Sequence, residues 1–247
     1  MHHLITYPEL LENMKRITLT EAWQGTADCA TCTLRNSALF QGLDESDFAQ
    51  VHEPIDQFVV KPGDQIYGAG DSGEHMFTIR TGLVKLVQTL PDGRQRIVRL
   101  LQSTDVLGLE TILSQRYQHD AVALQETEIC RYPARAIKNL SRTNPALHQS
   151  LMEQWQRALN DADIWLTELS TGSARQRVAR LLIHLVKDQP AAECLLFNRE
   201  DLGSMLAITT ETASRTIAEF KRQSLIVESD PNRFICDLPN LERIAAG

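Results

Sequence analysis

The chain has 247 residues, 43% hydrophobic and 23% charged, enough for two domains that each bury a core. It carries no apolar run of about 18 residues, which excludes a transmembrane span, and Met1-His-His-Leu-Ile-Thr-Tyr-Pro8 has neither the basic nor the long apolar segment of a secretory signal. Its net charge of −7 lies wholly in residues 1–169, with 15 basic and 22 acidic side chains, whereas residues 170–247 carry ten of each. The C-terminal part can therefore meet nucleic acid through a few placed arginines, but not by bulk attraction.

Residues 1–40 read as an extension ahead of the first domain. Leu10, Leu11, Met14 and Ile17 give a short helical stripe. Cys29 and Cys32 then form a C-x-x-C pair in a polar loop. Two thiolates at that spacing can hold a metal or a cluster, or close a disulfide. No second pair follows nearby to complete a structural zinc site, and no strand-then-helix context suggests a thioredoxin-like centre. Five cysteines in a chain this long make no disulfide framework, so the cytoplasm is the expected compartment.

Residues 41–142 change to short strands and turns. Phe58–Asp64, Met76–Val87, Arg96–Leu101, Ala121–Leu124 and Glu128–Tyr132 are strand-like, punctuated by glycines, and Asp92-Gly93 is a hairpin signal. Many short strands with regular turns predict a β-roll.

Residues 143–171 are helical. Leu151, Trp155, Ala158, Ala162, Trp165 and Leu169 recur at steps of 4, 3, 4, 3, 4, a heptad seam suited to a dimer. Ala162, between Asp161 and Asp163, puts a small apolar residue on that seam. Thr171-Gly172-Ser173 is the expected end of the helix and a hinge.

Within residues 172–247, Arg177–Val186 is predicted as a helix with Val178, Leu181, Leu182 and Leu185 on one side. Glu200–Met205 predicts a short helix, and Thr209 or Thr210 a cap for a second. Ala213, Ile217 and Phe220 give the second helix its buried face. Thr209, Thr210, Glu211, Ser214 and Arg215 then face outward in its first turns, where a helix-turn-helix presents side chains to base edges; Lys221 completes the DNA-facing set. The alternative is an ordinary helical hairpin. Leu225–Leu238 reads as strand, turn, strand, the wing of a winged helix. No nucleophile–base pair, metal-ligand set or phosphate loop suggests an enzyme.

In this order, the elements resemble the CRP/FNR family of transcription regulators. The resemblance runs from about residue 28 to the end. It is carried by Lys61-Pro-Gly-Asp64, Gly70-Asp-Ser-Gly73, Ile79-Arg-Thr-Gly-Leu-Val84, Gly108 and Thr210-Glu-Thr-Ala-Ser-Arg215. It implies an α+β chain with a cyclic-nucleotide-binding-like β-roll as sensor, a long dimerisation helix and a winged helix-turn-helix. The implied partners are double-stranded DNA, a second copy of the chain, and RNA polymerase, which the Asp92-Gly93 tip would touch; no membrane is implied.

Two branches of that family differ in their sites. The cyclic-AMP branch holds phosphate with an Arg-Ser pair; here His119-Asp120 stands in the corresponding stretch, and a carboxylate repels phosphate. Glu211, Ser214 and Arg215 match the recognition helix of the FNR branch. The match implies half-sites like TTGAT in an inverted repeat about one helical turn apart, with arginine on guanine and a carboxylate on cytosine. FNR-type oxygen sensors also hold a [4Fe-4S] cluster on four cysteines. Cys29, Cys32 and Cys130 match three of them. A further cysteine is expected near Ala38 and is absent, leaving Asp28, His2 or His3 as a fourth ligand. A thiol/disulfide sensor without a cluster, a small-ligand or cyclic-nucleotide response, haem held by His75 or His119, and no cofactor at all remain the alternatives. Cys194 and Cys236 are read as structural.

Overall fold

The computed structural model describes residues 15–18, 39–40, 43, 54–186 and 191–247. The architecture is mixed α and β, and it divides into two compact units: residues up to 88 with 99–159, and 89–98 with 160–247. Cys29 and Cys32, with Asp28, His2, His3, Leu10, Leu11 and Met14, lie outside the described residues.

The first unit is a roll of two antiparallel sheets. One holds β1 (Lys15–Thr18), β2 (Pro54–Val60), β4 (His75–Thr81), β7 (Val106–Leu107) and β9 (Thr127–Pro133), in the order β1-β2-β9-β4-β7. The other holds β3 (Gln65–Tyr67), β5 (Leu83–Thr89), β6 (Gln95–Gln102) and β8 (Asp120–Ala123), in the order β3-β8-β5-β6. Both contribute buried side chains, among them Ile79 and Ile129 from the first sheet and Val84, Leu86 and Ile97 from the second. Apolar residues on both faces of β4 and β5 explain why these strands read as runs rather than as alternation.

The expected hairpin forms at Asp92-Gly93. Gly93 has φ +83°, its N–H donates to the Leu90 carbonyl (2.9 Å), and the Asp92 carboxylate accepts from the Arg94 N–H (3.0 Å). Gly82, between β4 and β5, has φ +106°, and a Cβ there would lie 2.4 Å from Thr127 Oγ1. The helical stripe through Ile17 is corrected: Ile17 is in β1, opposite Ile55 of β2. An otherwise open edge of β2 gains a backbone partner this way, and edge pairing prevails over the local periodicity.

A pair of opposite charges is built into the centre of the first sheet. Asp56 on β2 stands directly across from Arg131 on β9, and the guanidinium Nε donates to Asp56 Oδ2 (3.1 Å) while a second nitrogen closes on the same oxygen. The two side chains are 7% and 11% exposed, so neither charge has water to fall back on.

Two helices follow β9. α1 (Ala134–Thr143) lies, but for its last residue, within the stretch expected to be roll, and it buries Ala136, Ile137 and Leu140. Asn144 caps α2 (Pro145–Ile164) by accepting from the Leu147 N–H (2.9 Å), with Pro145 following as the favoured first residue. Leu39 and Leu43 join Ile55, Cys130, Tyr132, Ile137, Leu147 and Leu151 in one apolar cluster, and Trp155 packs against it.

Along α2, the residues of the expected heptad seam differ in burial. Leu151, Trp165 and Leu169 are buried in the chain's own units, Trp155 and Ala158 are half-buried, and Ala162 is exposed. The exposed apolar residues are Met152, Leu159 and Leu166, spaced by seven. The helix carries two adjacent apolar stripes, and the one containing the tryptophans is partly buried in the core.

In the second unit, one π-helical turn (Trp165–Leu169) follows α2. Then come α3 (Ala174–Val186), β10 (Glu193–Leu195), α4 (Arg199–Leu206), α5 (Thr210–Arg222), β11 (Ile226–Asp230), β12 (Arg233–Cys236) and α6 (Leu238–Ala246). α3 is the centre of this unit: Val178, Leu181 and Leu182 are fully buried. Its Arg180 donates to the carbonyls of Glu168 (2.9 Å), Thr171 (3.0 Å) and Ala245 (2.8 and 3.0 Å). One guanidinium thus ties the π turn and the end of α6 to the same helix. Gly172, in the loop before α3, has φ +84°, as a residue closing a helix should.

Truncating Asp56 to alanine leaves Arg131 buried without its counter-ion. Asp56→Ala should lower unfolding free energy by about 3 kcal/mol in urea titration; a loss under about 1 kcal/mol would show that the pair does not carry the sheet.

Candidate nucleic-acid interface

The interface is built by the turn between α4 and α5. Asn198 caps α4: its side-chain oxygen accepts from the Asp201 N–H (2.7 Å), and its amide donates back to the Asp201 carboxylate (3.0 Å). α4 stops at Ala207, which adopts a left-handed conformation (φ +53°). Ile208 then returns its N–H to the Gly203 carbonyl (3.1 Å). A Cβ at Gly203 would lie 2.7 Å from the Ile208 carbonyl oxygen, a backbone atom that cannot swing aside. Only glycine permits this close crossing of turn and helix. Arg177 of α3 fixes the same corner by donating to the Leu206 carbonyl (2.6 Å).

Thr209 is the cap of α5, its hydroxyl accepting from the Thr212 N–H (3.2 Å). Ala213, Thr216, Ile217 and Phe220 are buried, the face that the i, i+4, i+7 spacing predicts. Thr209, Thr210, Glu211, Ser214 and Arg215 are all exposed in the first turns. Thr212 is half-buried, because its hydroxyl is engaged with that of Thr209 (3.1 Å).

Two cations around α5 serve the scaffold. Lys221 Nζ lies 2.7 Å from Glu228 Oε2 on β11 and 4.8 Å from the centre of the Phe234 ring on β12. This side chain fastens the recognition helix to the wing, and it is set apart from the five residues at the other end of α5. The hydrogen bond from Lys221 holds the Glu228 carboxyl below its usual range. Arg175 pairs with Glu219, reaches Gln223 Oε1 (2.6 Å) and stacks over Phe220 (5.3 Å). The wing is the expected strand, turn and strand, with Asn232 at φ +63° in the turn. Sequence reasoning missed the third strand, β10, which pairs with β12; the signal was the apolar run Cys194–Phe197.

In the roll, the stretch aligned with a phosphate site is closed on itself. The Asp120 carboxylate accepts from the Ala69 N–H (2.8 Å) and Gln65 Nε2 (3.3 Å), and Glu110 accepts from the Gln118 N–H (3.3 Å). Tyr67 stacks on Tyr117 with ring centres 3.9 Å apart, and burial pushes its hydroxyl well above the ordinary phenol range, helped by the charge of Glu110. Burial also pushes His119 below the usual imidazole value. His75 stands on β4, its carbonyl accepting from the Tyr117 hydroxyl (2.8 Å). Cys130 is buried on β9, in the cluster that contains Leu39 and Leu43. Among the described residues, no three His, Cys, Asp or Glu side chains converge as a metal site. No helix among them is long and apolar enough to cross a membrane.

Comparison with known proteins agrees with this geometry. Residues 57–144 match the family model described as a cyclic nucleotide-binding domain, and residues 176–244 match that of a Crp-like helix-turn-helix domain. Electron transport regulator A of Shewanella oneidensis is 27% identical over 224 residues, covering 88% of this chain and 90% of its own. The transcriptional activator protein Anr of Pseudomonas aeruginosa is 26% identical over 228 residues, covering 90% and 93%. The structure of FixK2 from Bradyrhizobium japonicum shares the fold, with a TM-score of 0.71 at 23% identity over 77% of this chain and 97% of that one. Roll and winged helix-turn-helix together define a DNA-binding regulator, and these relatives are regulators of transcription rather than enzymes. The chain belongs to the CRP/FNR family of transcription regulators.

Proposed function

We propose that this regulator acts in the cytoplasm as a homodimer, reads FNR-like inverted repeats, and responds to oxygen, nitric oxide or another redox signal. The observation that carries the DNA reading is the set of Glu211, Ser214 and Arg215, exposed together on the first turns of α5 behind the Thr209 cap. Arginine forks onto guanine O6 and N7, the carboxylate accepts from cytosine N4, and the serine region lies against thymine. Thr209 and Thr210, at the positive end of the helix, are suited to the DNA backbone. RNA polymerase is the further partner, with the exposed Asp92-Gly93 tip as the surface it would meet.

The dimer reading rests on Met152, Leu159 and Leu166. Three large apolar side chains at heptad spacing, exposed on one continuous run, are suited to a two-fold partner helix.

Cysteines fit the redox reading best. Cys130 is buried in the cluster joined by Leu39 and Leu43, so the chain segment that follows Cys32 by seven residues packs beside it. Seven residues span at most about 25 Å and the ten from Cys29 about 36 Å, lengths that permit a site shared with Cys130. Three thiolates and a ligand from Asp28, His2 or His3 would suit a [4Fe-4S] cluster, which supplies one-electron chemistry and sensitivity to oxygen when bound. Cys130 would tie that group to the same core that receives Leu151 and Trp155 of α2. A cyclic nucleotide fits less well, because Asp120 stands in the stretch where the cyclic-AMP branch holds phosphate, and a carboxylate repels phosphate.

Three measurements test this reading. Arg215→Ala should weaken operator binding by about 1–3 kcal/mol and relax the preference at guanine, as read by footprinting on base-substituted sites; an unchanged preference would remove the assignment. Leu159→Glu should shift sedimentation from dimer toward monomer, and a variant as dimeric as the parent would contradict the seam. Protein purified without oxygen should be brown and contain iron and sulfide, whereas a colourless, iron-free protein with full operator binding rules the cluster out.

A further inference from the structure

Cys194 and Cys236 were read from sequence as unrelated structural residues, 42 positions apart. The fold brings their sulfur atoms to 3.8 Å. The reason is the register of the three-stranded sheet β10-β12-β11. Cys194 on β10 stands opposite Phe234 on β12, and the Cys236 N–H donates to the Ala192 carbonyl (3.0 Å). Cys236 is therefore the diagonal neighbour of Cys194 on the same, inward face. Phe234, directly across from Cys194, is fully buried on that face, and the alternate residues Arg233 and Ile235 are exposed.

We propose that Cys194 and Cys236 form an oxidisable dithiol site inside the DNA-binding unit, separate from Cys29, Cys32 and Cys130. A disulfide has an S–S length of about 2.05 Å. The two sulfurs are already in van der Waals contact, so closure asks for a side-chain rotation and a small adjustment of two adjacent strands. Both thiols are buried, so the site suits a small uncharged oxidant such as hydrogen peroxide.

The two thiols have different roles. With Cys194 as donor of the hydrogen bond, the Cys236 thiol is held below its usual value and the Cys194 thiol is pushed up, with burial adding to the rise at Cys194. Cys236 is then the attacking sulfur. With hydrogen peroxide as oxidant, the Cys236 thiolate attacks one peroxide oxygen, the O–O bond breaks, and the departing hydroxide takes up a proton to become water. Cys236 is left as a sulfenic acid. The Cys194 sulfur then attacks the Cys236 sulfur, the S–O bond breaks, and the hydroxyl leaves as a second water with the Cys194 proton. Two thiols lose two electrons and two protons, and one peroxide becomes two waters.

The bond would link the strand that leads into α4 to the strand that leads out of the wing. It would close a loop holding the whole helix-turn-helix and wing, and a loop of that length restricts the unfolded chain strongly.

The test uses the full-length protein. After exposure to hydrogen peroxide, unreacted thiols are alkylated in denaturant and peptides are mapped without reductant. The expected product joins the peptides of Cys194 and Cys236, lighter by two hydrogens than the pair, and reverts with dithiothreitol. The oxidised protein should melt about 5 °C or more above the reduced form, and Cys194→Ala or Cys236→Ala should remove both effects. If both cysteines of the wild type alkylate fully after peroxide, or if either maps to a different cysteine, the proposal fails. The wild-type map decides the question even where a variant does not fold.

Discussion

The close approach of Gly203 to the Ile208 carbonyl sets the geometry on which the DNA-facing surface depends. A methyl group there would push the turn away from α4 and rotate everything after it. With glycine in place, Ala207 can take a left-handed conformation, Ile208 can return its N–H to Gly203, and Thr209 can cap α5 within one residue. The side chains that could read bases stand on the two turns that follow. Their direction is fixed by backbone contacts, which change little with solvent or partner. Arg177 reinforces the same corner from α3.

Much of this surface was legible in the sequence because it depends on local rules. A threonine before a helix and a buried stripe at i, i+4, i+7 both act over fewer than ten residues. The hairpin at Asp92-Gly93 was legible for the same reason. β3 and β7 were not, since strands of three and two residues carry no periodicity of their own. They exist because β8 and β4 offer partners. The same holds for β1, where pairing with β2 prevailed over an apparent helical stripe.

On α2, a heptad spacing was legible, and the fold sets a second apolar stripe beside the expected one. Leu151 and Trp155 are large and regularly spaced, and size drew the reading toward them. In the fold they face the chain's own cluster, while Met152 and Leu159, one or more positions on, face outward. A heptad pattern fixes spacing but cannot say which of two neighbouring stripes meets which partner. Cys194 and Cys236 show the limit more sharply. Only the register of β10 on β12 puts them in contact, and β10 was not foreseen.

The engagement of Lys221 and Arg175 has an electrostatic consequence. Each cation pairs with a carboxylate of its own chain, Glu228 and Glu219, and each also lies over an aromatic ring. Cations held this way displace few counterions from a duplex. Salt sensitivity of a protein–DNA complex follows the number of phosphates neutralised, so these two cations, held within their own chain, add little to it.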